Sequence, residues 1–549
     1  MFYKKYLSPL FIVFVSVIAL IDLFKPGLPI THDGQDHVAR IANFYQNLVE
    51  GNIIPRWAGN LNWGYGHPIL MFLYPFPSYM ASFFHFLGFS LVDAVKIVFG
   101  LTFVLSGFTM YLWVRNFLNE KAAVVSAMLY LFAPYRFVDM YVRGAIGEHV
   151  AFVFLPLVFY FLLKLNKDIK GIYILGGSLS LAGFILSHNA IILMFLPLFF
   201  LYSLYLFYQS KNKKYFMFNA ACVMILGFGL AAFFWVPAFF EGKYTLRDIV
   251  TGGKEYAASF VTWKDFFYGA WSYGGTLFLS KQIGIIHWIG LFGSVIATHH
   301  LYRKKDRLWI VSRSSFIIFW ITLFLMTSAS NPIWQTITTL QKFQFPWRFL
   351  SVTVFMSALL GGIAIHVFPD KYRKIFLLIL VAGLLVVNKD YWYANGYLQK
   401  PEAFYTGVYY ATTDTGESAP IWSVRFMEKE PKSHLEVVEG KGEMREVKRR
   451  STKHVYEVTL EEKSRLRENT LYFPGWSVYV DGNPAEVEFQ DPAHRGLMTF
   501  FVGSGKHTID VRFVETKLRI LANSASVISL FGLLFLGILG KVLLWRRFR

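Results

Sequence analysis

Ionisable side chains crowd one short polar stretch near the start of the chain, THDGQDHVARIANFYQNLVEGNIIPRWAGNLNWGYGHP at residues 31–68. A carboxylate in such a stretch can accept the proton of a hydroxyl while that hydroxyl attacks an electrophilic carbon. Asp33 is the leading candidate for this base and Asp36 is the alternative, with His37 and Arg40 as candidate binding residues close behind. The competing interpretation is that one aspartate caps the helix that follows, since Asp is a common N-cap. Asp36 lies closer to the helical run and fits the cap better.

A second group of polar residues lies beside later apolar runs. The stretch YRFVDMYVRGAIGEH supplies Arg143 and Glu148, and the sequence LSHN supplies His188 and Asn189. Glu148 is a candidate second acid that orients an acceptor or shares a metal, although a helix dipole alone favours Glu in a first turn. His188 and Asn189 are candidates for binding a sugar or a phosphate, and a buried structural pair explains them at least as well.

Arg348 lies in the sequence QFPWRFL, just inside the predicted outer end of an apolar run and next to Trp347. Because a guanidinium matches phosphate oxygens bidentately, Arg348 is the candidate phosphate-binding residue, and Trp347 is grouped with it. The alternative is an arginine that snorkels to the interface. No metal-ligand spacing such as H-x-x-x-H occurs among the candidates, so no cofactor is certain and a divalent cation is left open. A P-loop and a dinucleotide fingerprint are also missing from the sequence.

The elements that must position these residues are membrane-spanning helices. The 549 residues are 55% hydrophobic and only 16% charged, with mean hydropathy +0.42. Long uncharged apolar runs predict a polytopic protein, and a bilayer forces such runs to be helical. The net charge of +19 does not indicate nucleic acid, because Lys and Arg cluster in short loops, as the positive-inside rule describes. The single cysteine, Cys222, excludes a disulfide framework.

The apolar runs predict about twelve transmembrane helices with both termini in the cytoplasm. They lie at residues 7–24, 91–114, 122–137, 149–164, 171–188, 190–208, 216–238, 283–300, 309–327, 347–368, 375–388 and 520–544. Residues 71–90 are interpreted as an interfacial helix, because a proline pair breaks their start and every later basic cluster then falls on one side. Whether they cross the membrane is left open. Helical spacing over 38–48 predicts a second interfacial helix. The first outer loop is then 25–90, and a long outer loop is 240–282.

Residues 389–516 change character, since charges become frequent and apolar residues alternate with polar ones. Period-two alternation with turns at Asp481-Gly482 and at 503–505 predicts antiparallel strands. The predicted organisation is therefore a transmembrane domain at 1–388, an extracytoplasmic β-sandwich at 389–516 and a C-terminal transmembrane anchor at 517–549.

Several of these stretches together resemble a known class of enzymes. An acidic residue in the first outer loop, followed by interfacial helices and YPFPSYMASFFHFLGFS, resembles the GT-C superfamily of polytopic glycosyltransferases. More closely, THDGQDHVARI, GYGHP, YRFVDMYVRGAIGEH, LSHN, QFPWRFL and TTDTGE resemble a bacterial membrane family labelled "6-pyruvoyl-tetrahydropterin synthase-related". The label does not fit a pterin enzyme, because nothing in the sequence resembles that enzyme's soluble fold or zinc site.

The resemblance implies a GT-C-like fold and an inverting sugar transfer at the outer face of the plasma membrane. The donor would be a polyprenyl-phosphate-linked sugar, and the acceptor a hydroxyl of a cell-envelope glycan, lipid or protein. The first-loop acid of GT-C enzymes maps to Asp33, with Asp36 still open, and the phosphate-binding basic residue maps to Arg348. Partners would be membrane lipids and not nucleic acid, with the β-domain placed over the cavity to bind the acceptor. A transporter or flippase for a lipid-linked saccharide, and a non-catalytic relative that binds glycan, are the alternatives.

Overall fold

The protein has a helical body followed by a β-rich part. The computed structural model describes residues 4–167, 170–250, 252, 255–272 and 278–547, with side chains described within these ranges from residue 6 to residue 536. The predicted long outer loop 240–282 therefore falls partly outside the described residues, at 251, 253–254 and 273–277.

The helical body contains long helices with short helical turns between them. The helices of nine or more residues are Lys4–Ile18, Gly34–Val49, Phe76–Phe86, Leu91–Val114, Glu120–Leu131, Ile146–Lys167, Gly171–Ile185, Asn189–Gln209, Lys213–Leu230, Ala232–Phe240, Ile285–Arg303, Leu308–Met326, Leu350–Val367, Asp370–Val387 and Lys517–Arg547. Shorter helical turns include Ile69–Phe72, Pro134–Phe137, Val138–Arg143, Glu241–Tyr244, Trp263–Phe267, Asn331–Thr336, Pro346–Phe349 and Ala403–Thr406.

Each apolar run predicted to span overlaps one of these helices, but fewer of them meet the length and hydropathy of a span. Within the described part of the chain, six helices are long and apolar enough to cross a membrane, or eight if each of two bent pairs is one span. The bent pairs are Glu120–Leu131 with Pro134–Arg143, at 47°, and Lys213–Leu230 with Ala232–Tyr244, at 69°. The protein is thus a multi-pass helical membrane protein, and the count of twelve stays a prediction.

Two predicted interfacial segments are short helices. The first-loop helix, Gly34–Val49, lies where the spacing predicts a helix, and it buries Val38, Ile41 and Ala42. Every residue from 37 to 44 is buried, however, so the middle of the helix is enclosed on all sides and not on one face as the spacing predicts. Within 71–90 the helix Phe76–Phe86 has 11 residues. A helix rises about 1.5 Å per residue, so this one is roughly 16 Å long, about half the thickness of a hydrocarbon core. It is too short to cross.

The strands form two antiparallel sheets that share one apolar core. Two short strands, β1 (Leu28–Pro29) and β2 (Tyr397–Leu398), form a separate pair. The strands of the two sheets are β3 (Leu435–Glu439), β4 (Gly442–Arg450), β5 (Lys453–Leu460), β6 (Ser464–Leu471), β7 (Trp476–Val480), β8 (Asn483–Ala485), β9 (Leu497–Val502) and β10 (Gly505–Phe513). The five-stranded sheet has the order β4-β5-β10-β7-β8 and the three-stranded sheet the order β3-β6-β9.

The two predicted turns have different roles. Asp481 and Gly482 have φ of +52° and +83° between the paired strands β7 and β8, as a hairpin turn with two left-handed residues requires. Residues 503–505 instead connect β9 to β10, which lie in different sheets.

The strands of the sandwich begin at residue 435, later than the predicted start of the β-domain. Residues 389–434 hold β2, which pairs with β1 in the first loop, and residues 409–411 are hydrogen bonded to residues 60–63 of that loop. Further along the segment, Ala419 and Ile421 are hydrogen bonded to Leu246 and Tyr244. The segment therefore belongs to the surroundings of the polar stretch 31–68.

Candidate active site

Backbone hydrogen bonds join the first loop to the polar stretch that ends at Glu148. The His32 N–H donates to the carbonyl of Val142 over 3.0 Å, and the Asp33 N–H donates to the carbonyl of Arg143 over 2.8 Å. Gly144 makes this approach possible, because it has φ +73° and a Cβ there would lie 2.4 Å from Thr31 Oγ1. Asp33 is thereby held beside Arg143, as the grouping of these residues predicts.

The Asp33 carboxylate is exposed and accepts no hydrogen bond from the described residues. Asp33 occupies the N-cap position of the first-loop helix, yet its side chain makes no cap bond. Thr31 has that role instead, since its Oγ1 accepts from the N–H of Gly34 over 3.0 Å. Capping therefore does not account for Asp33.

Asp36 is engaged by a tyrosine from a distant part of the chain. Its Oδ1 accepts a hydrogen bond of 2.8 Å from the Tyr409 hydroxyl. Burial raises the pKa of the Asp36 carboxyl, and the bond from Tyr409 opposes that rise. Capping does not explain Asp36 either, and its carboxylate is less available than that of Asp33.

His37 and Arg40 are buried on the same helix and bind protein groups. Arg40 Nη1 lies 3.0 Å from His37 Nδ1, Arg40 Nε donates to Thr413 Oγ1 over 3.2 Å, and Nη2 donates to the Thr413 carbonyl. Burial, followed by the charge of Arg40, holds the pKa of His37 well below its usual range. Arg40 thus fixes the segment around Thr413 against the helix, and His37 contacts the guanidinium that does so.

A buried network of charges lies next to Asp33. Arg143 Nη1 donates to Asp139 Oδ1 over 2.7 Å and Nη2 donates to Glu148 Oε1 over 2.9 Å. The Tyr135 hydroxyl donates to Glu148 Oε2 over 2.7 Å. The π-helical turn Val138–Arg143 supplies Asp139 and Arg143, and such turns are frequent at functional sites. Glu148 accepts on both oxygens, whereas Asp139 accepts on Oδ1 alone and its buried Oδ2 has no hydrogen-bond partner among the described residues. Both carboxylates are paired with Arg143, so neither is exposed as a free base.

Arg348 borders the network and keeps part of its guanidinium available. Its Nε lies 3.8 Å from Glu148 Oε1, and Nη1 donates to the carbonyl of Phe343 over 2.8 Å. Its side chain is 16% exposed, and Nη2 forms no hydrogen bond with the described residues. An N–H group with this freedom can bind an anion that enters the site.

His188 combines a structural role with a place in the site. Its Nδ1 accepts from the N–H groups of Ala190 and Ile191 over 3.2 and 3.3 Å, which caps the helix Asn189–Gln209. Its Nε2 lies 3.8 Å from Glu148 Oε1, and burial lowers the pKa of His188 to about 3. The imidazole is therefore neutral and acts as a hydrogen-bonding group.

Two of the predicted binding residues have structural positions. Asn189 Nδ2 donates to the carbonyl of Phe72 over 2.8 Å, so its amide is directed to the backbone. Trp347 is buried, and the Arg143 guanidinium lies 4.7 Å from its ring centroid. Trp347 therefore makes a cation–π contact with Arg143 and packs against the charge network.

Sequence reasoning missed Tyr74, Tyr135 and Tyr409. The Tyr74 ring stacks on the His188 ring, with ring centroids 4.9 Å apart. The charges of Arg40, Asp33, Glu148 and Arg143 act electrostatically on the Tyr74 hydroxyl. Burial raises the pKa of Tyr74 to about 12. The only sequence signal was its place in the proline-rich YPFPS stretch. No group of three or more His, Cys, Asp or Glu side chains able to hold a metal ion occurs among the described residues.

The fold and the site define a multi-pass helical membrane protein with a β-rich part and a polar site at the meeting of several helix ends. A family model described as "6-pyruvoyl-tetrahydropterin synthase related domain; membrane protein" matches residues 70–394, which is more than half of the chain. The chain belongs to this family, which confirms the family resemblance found in the motifs.

Among curated proteins, an uncharacterized protein of Lactococcus lactis subsp. cremoris (strain MG1363) is 24% identical over 286 residues. The match covers 49% of this chain and 45% of that relative, so the chain spans less than half of the relative's length.

Three solved structures are similar to the chain at low identity. The Archaeoglobus fulgidus oligosaccharyltransferase, in complex with Zn and sulfate, is 16% identical with TM-score 0.44, covering 73% of this chain and 57% of its own. The mycobacterial arabinofuranosyltransferase AftD is 12% identical with TM-score 0.47, covering 72% and 28%. ArnT from Cupriavidus metallidurans, bound to undecaprenyl phosphate, is 12% identical with TM-score 0.32, covering 65% and 77%. Because these TM-scores are below 0.5, the functional assignment rests on the geometry of the site.

Proposed function

We propose that the protein is an inverting glycosyltransferase that moves a sugar from a polyprenyl-phosphate-linked donor to an acceptor hydroxyl. The observation that carries this proposal is the Asp33 carboxylate. It is exposed, accepts no hydrogen bond from the described part of the chain, and is held by its own backbone beside a buried charge network. The neighbouring carboxylates of Asp36, Asp139 and Glu148 all accept hydrogen bonds from protein groups.

The chemistry follows from this difference between the carboxylates. Asp33 accepts the proton of the acceptor hydroxyl while the acceptor oxygen forms a bond to the anomeric carbon. The bond between that carbon and the phosphate oxygen breaks, and the polyprenyl phosphate leaves with the electron pair. A single displacement of this kind inverts the configuration of the sugar.

The leaving phosphate would be stabilised by Arg348. Its accessible Nη2 can donate to a phosphate oxygen, and the fixed partners of Nη1 hold the guanidinium in place. Arg143 is less suited to this role, because Asp139 and Glu148 already occupy both of its Nη groups.

The proposed orientation follows from the placement of basic residues. Both termini would be cytoplasmic, and the site and the β-strands would face the outside of the plasma membrane. The acceptor would belong to the cell envelope, and membrane lipids would surround the helices that expose apolar side chains.

The test is transfer by the purified protein reconstituted with polyprenyl-phosphate sugars and candidate acceptors, comparing wild type with Asp33→Asn and Asp36→Asn. Removing a general base costs about 10²- to 10⁴-fold in rate, and we expect this loss for Asp33→Asn with a smaller loss for Asp36→Asn. Unchanged transfer by Asp33→Asn would remove Asp33 as the base. If the wild type transfers nothing across the donor panel but moves the labelled donor between leaflets, the protein is a flippase.

A further inference from the structure

A segment of the chain far from the first loop builds a surface beside Asp33. The Tyr409 N–H donates to the carbonyl of Asn60 over 2.7 Å, the Trp63 N–H donates to the carbonyl of Tyr409 over 3.0 Å, and the Asn62 N–H donates to the carbonyl of Ala411 over 2.9 Å. These bonds hold the segment against residues 60–63 as a strand would be held. The surface therefore has a fixed position relative to the first loop.

Three aromatic rings of this surface form what we name the aromatic shelf, defined as Trp63, Tyr409 and Tyr410. The ring centroids of Tyr409 and Tyr410 are 4.9 Å apart, and those of Trp63 and Tyr410 are 6.3 Å apart. Tyr410 is 49% exposed. Trp63 has φ +61°, a conformation that is costly for a bulky residue and that is maintained only when the surroundings impose it. Tyr409 is buried, with 1% of its surface exposed, and Trp63 is half-buried, so Tyr410 is the exposed ring of the shelf and the other two rings support it.

The aromatic shelf is joined directly to the first turn of the helix that begins after Asp33. Gln35 Nε2 donates to the Tyr409 hydroxyl over 2.8 Å and lies 3.4 Å from the Tyr410 hydroxyl. The Tyr409 hydroxyl in turn donates to Asp36. A ligand lying on the shelf would consequently be adjacent to the Asp33 carboxylate.

The charge around the aromatic shelf is mainly negative. Its carboxylates are Asp33, Asp36, Asp414 and Glu417. The nearby guanidinium groups of Arg40 and Arg425 keep their charges while they donate to the carbonyls of Thr413 and Thr415, so four carboxylates face two cations. Like charges brought together without compensation are unfavourable, so this surface disfavours an anionic ligand and favours hydroxyl or ammonium groups.

We propose that the aromatic shelf is the acceptor subsite, and that it takes a neutral or amino-bearing saccharide and not a phosphate-bearing one. The exposed Tyr410 ring, with the half-buried Trp63 beside it and a few fixed polar groups, provides the lining that one sugar ring needs. The apolar face of the sugar would lie on Tyr410 and its hydroxyls would face the carboxylates. This inference rests on the proposed function, because it identifies the acceptor of that reaction.

The test measures saccharide binding to the full-length protein in detergent without any donor, so that it does not depend on transfer. The probes are tetrasaccharides of glucose, galactose, mannose and N-acetylglucosamine, each in neutral, amino-bearing and phosphate-bearing form. We expect at least one neutral or amino-bearing probe to bind about tenfold more tightly than its phosphate-bearing form, a difference of about 1.4 kcal/mol. Equal or tighter binding of the phosphate-bearing forms, or no binding by any neutral or amino-bearing probe, would overturn the inference.

Three variants locate the bound saccharide. Tyr410→Ala removes an exposed ring and is expected to weaken binding about tenfold, which corresponds to the upper range for one aromatic contact. Tyr410→Phe keeps the ring and should bind within a factor of about two of wild type. Phe501→Ala removes a ring of similar exposure, 54%, from β9 and should leave binding unchanged. Loss of binding in Phe501→Ala with wild-type binding in Tyr410→Ala would place the acceptor on the sandwich and refute the shelf.

Failure of the proposed function would give a different result. Saccharide binding that depends on Tyr410, together with no transfer by the wild type, would support the saccharide subsite and refute the proposed transferase activity. Transfer that depends on Asp33 but shows the same acceptor KM in wild type and Tyr410→Ala would support the proposed transferase activity and refute the aromatic shelf as its acceptor subsite.

Discussion

At the scale of single residues, the site is defined by which polar atoms are already bound. Asp36, Asp139 and Glu148 each accept a hydrogen bond from a protein group, whereas the Asp33 carboxylate accepts none from the described residues. Among the cations, Arg143 binds two carboxylates and Arg348 keeps Nη2 available. A carboxylate and a guanidinium N–H without hydrogen-bond partners among the described residues therefore flank one buried network.

Arg348→Lys tests the phosphate role. A lysine keeps the charge but lacks the planar fork that binds a phosphate and the backbone together, so we expect kcat to fall about tenfold or more while the acceptor KM changes little. Arg373→Lys is the control, since Arg373 pairs with the exposed Asp370 at another helix end. Wild-type turnover in Arg348→Lys would contradict the assignment.

At the scale of elements, the site depends on a break between two helices. The helix Glu120–Leu131 ends before Pro134, the chain bends by 47°, and the π-helical turn and Gly144 follow before the helix Ile146–Lys167. This break turns the carbonyls of Val142 and Arg143 toward the first loop. One glycine thus sets the distance between the base and the charge network.

Gly144→Ala should disturb this contact. A Cβ would clash with Thr31 and would occupy a backbone conformation with φ +73°, so we expect a loss of about 1–3 kcal/mol in stability and reduced transfer. Gly100→Ala is the matched control, because a Cβ there meets ordinary contacts at 3.7 and 3.8 Å. Thermal unfolding in detergent measures both variants. A wild-type melting temperature for Gly144→Ala would show that the approach of the loops tolerates a side chain.

The periodicity of apolar residues predicts a helix well where the helix is determined by its own local sequence. The helix Leu91–Val114 has the predicted bounds, and the apolar spacing from Val38 onward predicts the presence of the first-loop helix, although not the burial of all its sides. Asp33 and Arg348 were identifiable as candidates because ionisable groups are costly near a membrane. The π-helical turn has no comparable periodic signal.

Contacts between distant segments could not be read from the same pattern. Residues 389–434 carry charges and polar residues like those of the strands that follow, so composition groups them with the β-domain. Their actual position against the first loop depends on bonds such as that from Tyr409 to Asp36, which join residues far apart in the chain. Period-two and period-3.6 patterns report only local structure.

At the scale of the whole molecule, buried ion pairs connect the first loop, the helical body, the sandwich and the last helix. Arg519 Nε donates to Glu241 Oε2 over 2.8 Å, and its Nη2 donates to the carbonyl of Pro474. Arg56 Nη1 donates to the carbonyl of Phe233, and its Nη2 donates to Asn523. The site is therefore built on parts that cannot move independently.

Breaking the Arg519–Glu241 pair should destabilise this assembly. Removal of one partner from a buried ion pair costs about 3–5 kcal/mol, because it leaves the other charge buried and uncompensated. We expect Arg519→Ala to lower the melting temperature strongly, whereas Arg445→Ala, which breaks an exposed pair with Glu457, should change it little. Equal melting temperatures for the two variants would show that the buried pair is not a structural connection.

The buried histidines predict a loss of stability in acid. Burial holds the pKa of His37 well below 6.5 and also lowers the pKa of His67. The unfolded chain binds these protons as pH falls through about 6.5 while the folded chain does not, so each histidine lowers the free energy of unfolding by up to ~1.4 kcal/mol per pH unit below that value. Unfolding measured between pH 8 and pH 5 should therefore show decreasing stability.

Two variants check the sign of this effect. His67→Asn should make the loss of stability in acid shallower. His507→Asn should make it steeper, because a hydrogen bond to Asp481 raises the pKa of His507, whose contribution to stability is present in acid and disappears as pH rises through that pKa. Identical pH profiles for wild type and His67→Asn would exclude His67 as a cause.

The bond between Asp36 and Tyr409 also has a consequence for the order of events during synthesis. The two residues are 373 positions apart. A ribosome adds about 5–20 residues per second, so Tyr409 emerges roughly 20 to 75 seconds after Asp36. Until then the first loop lacks Tyr409, Tyr410 and Thr413, and a nascent chain released early has no completed acceptor side. The first loop is synthesised early, but its contacts with residues 409–413 can form only after most of the chain has been made.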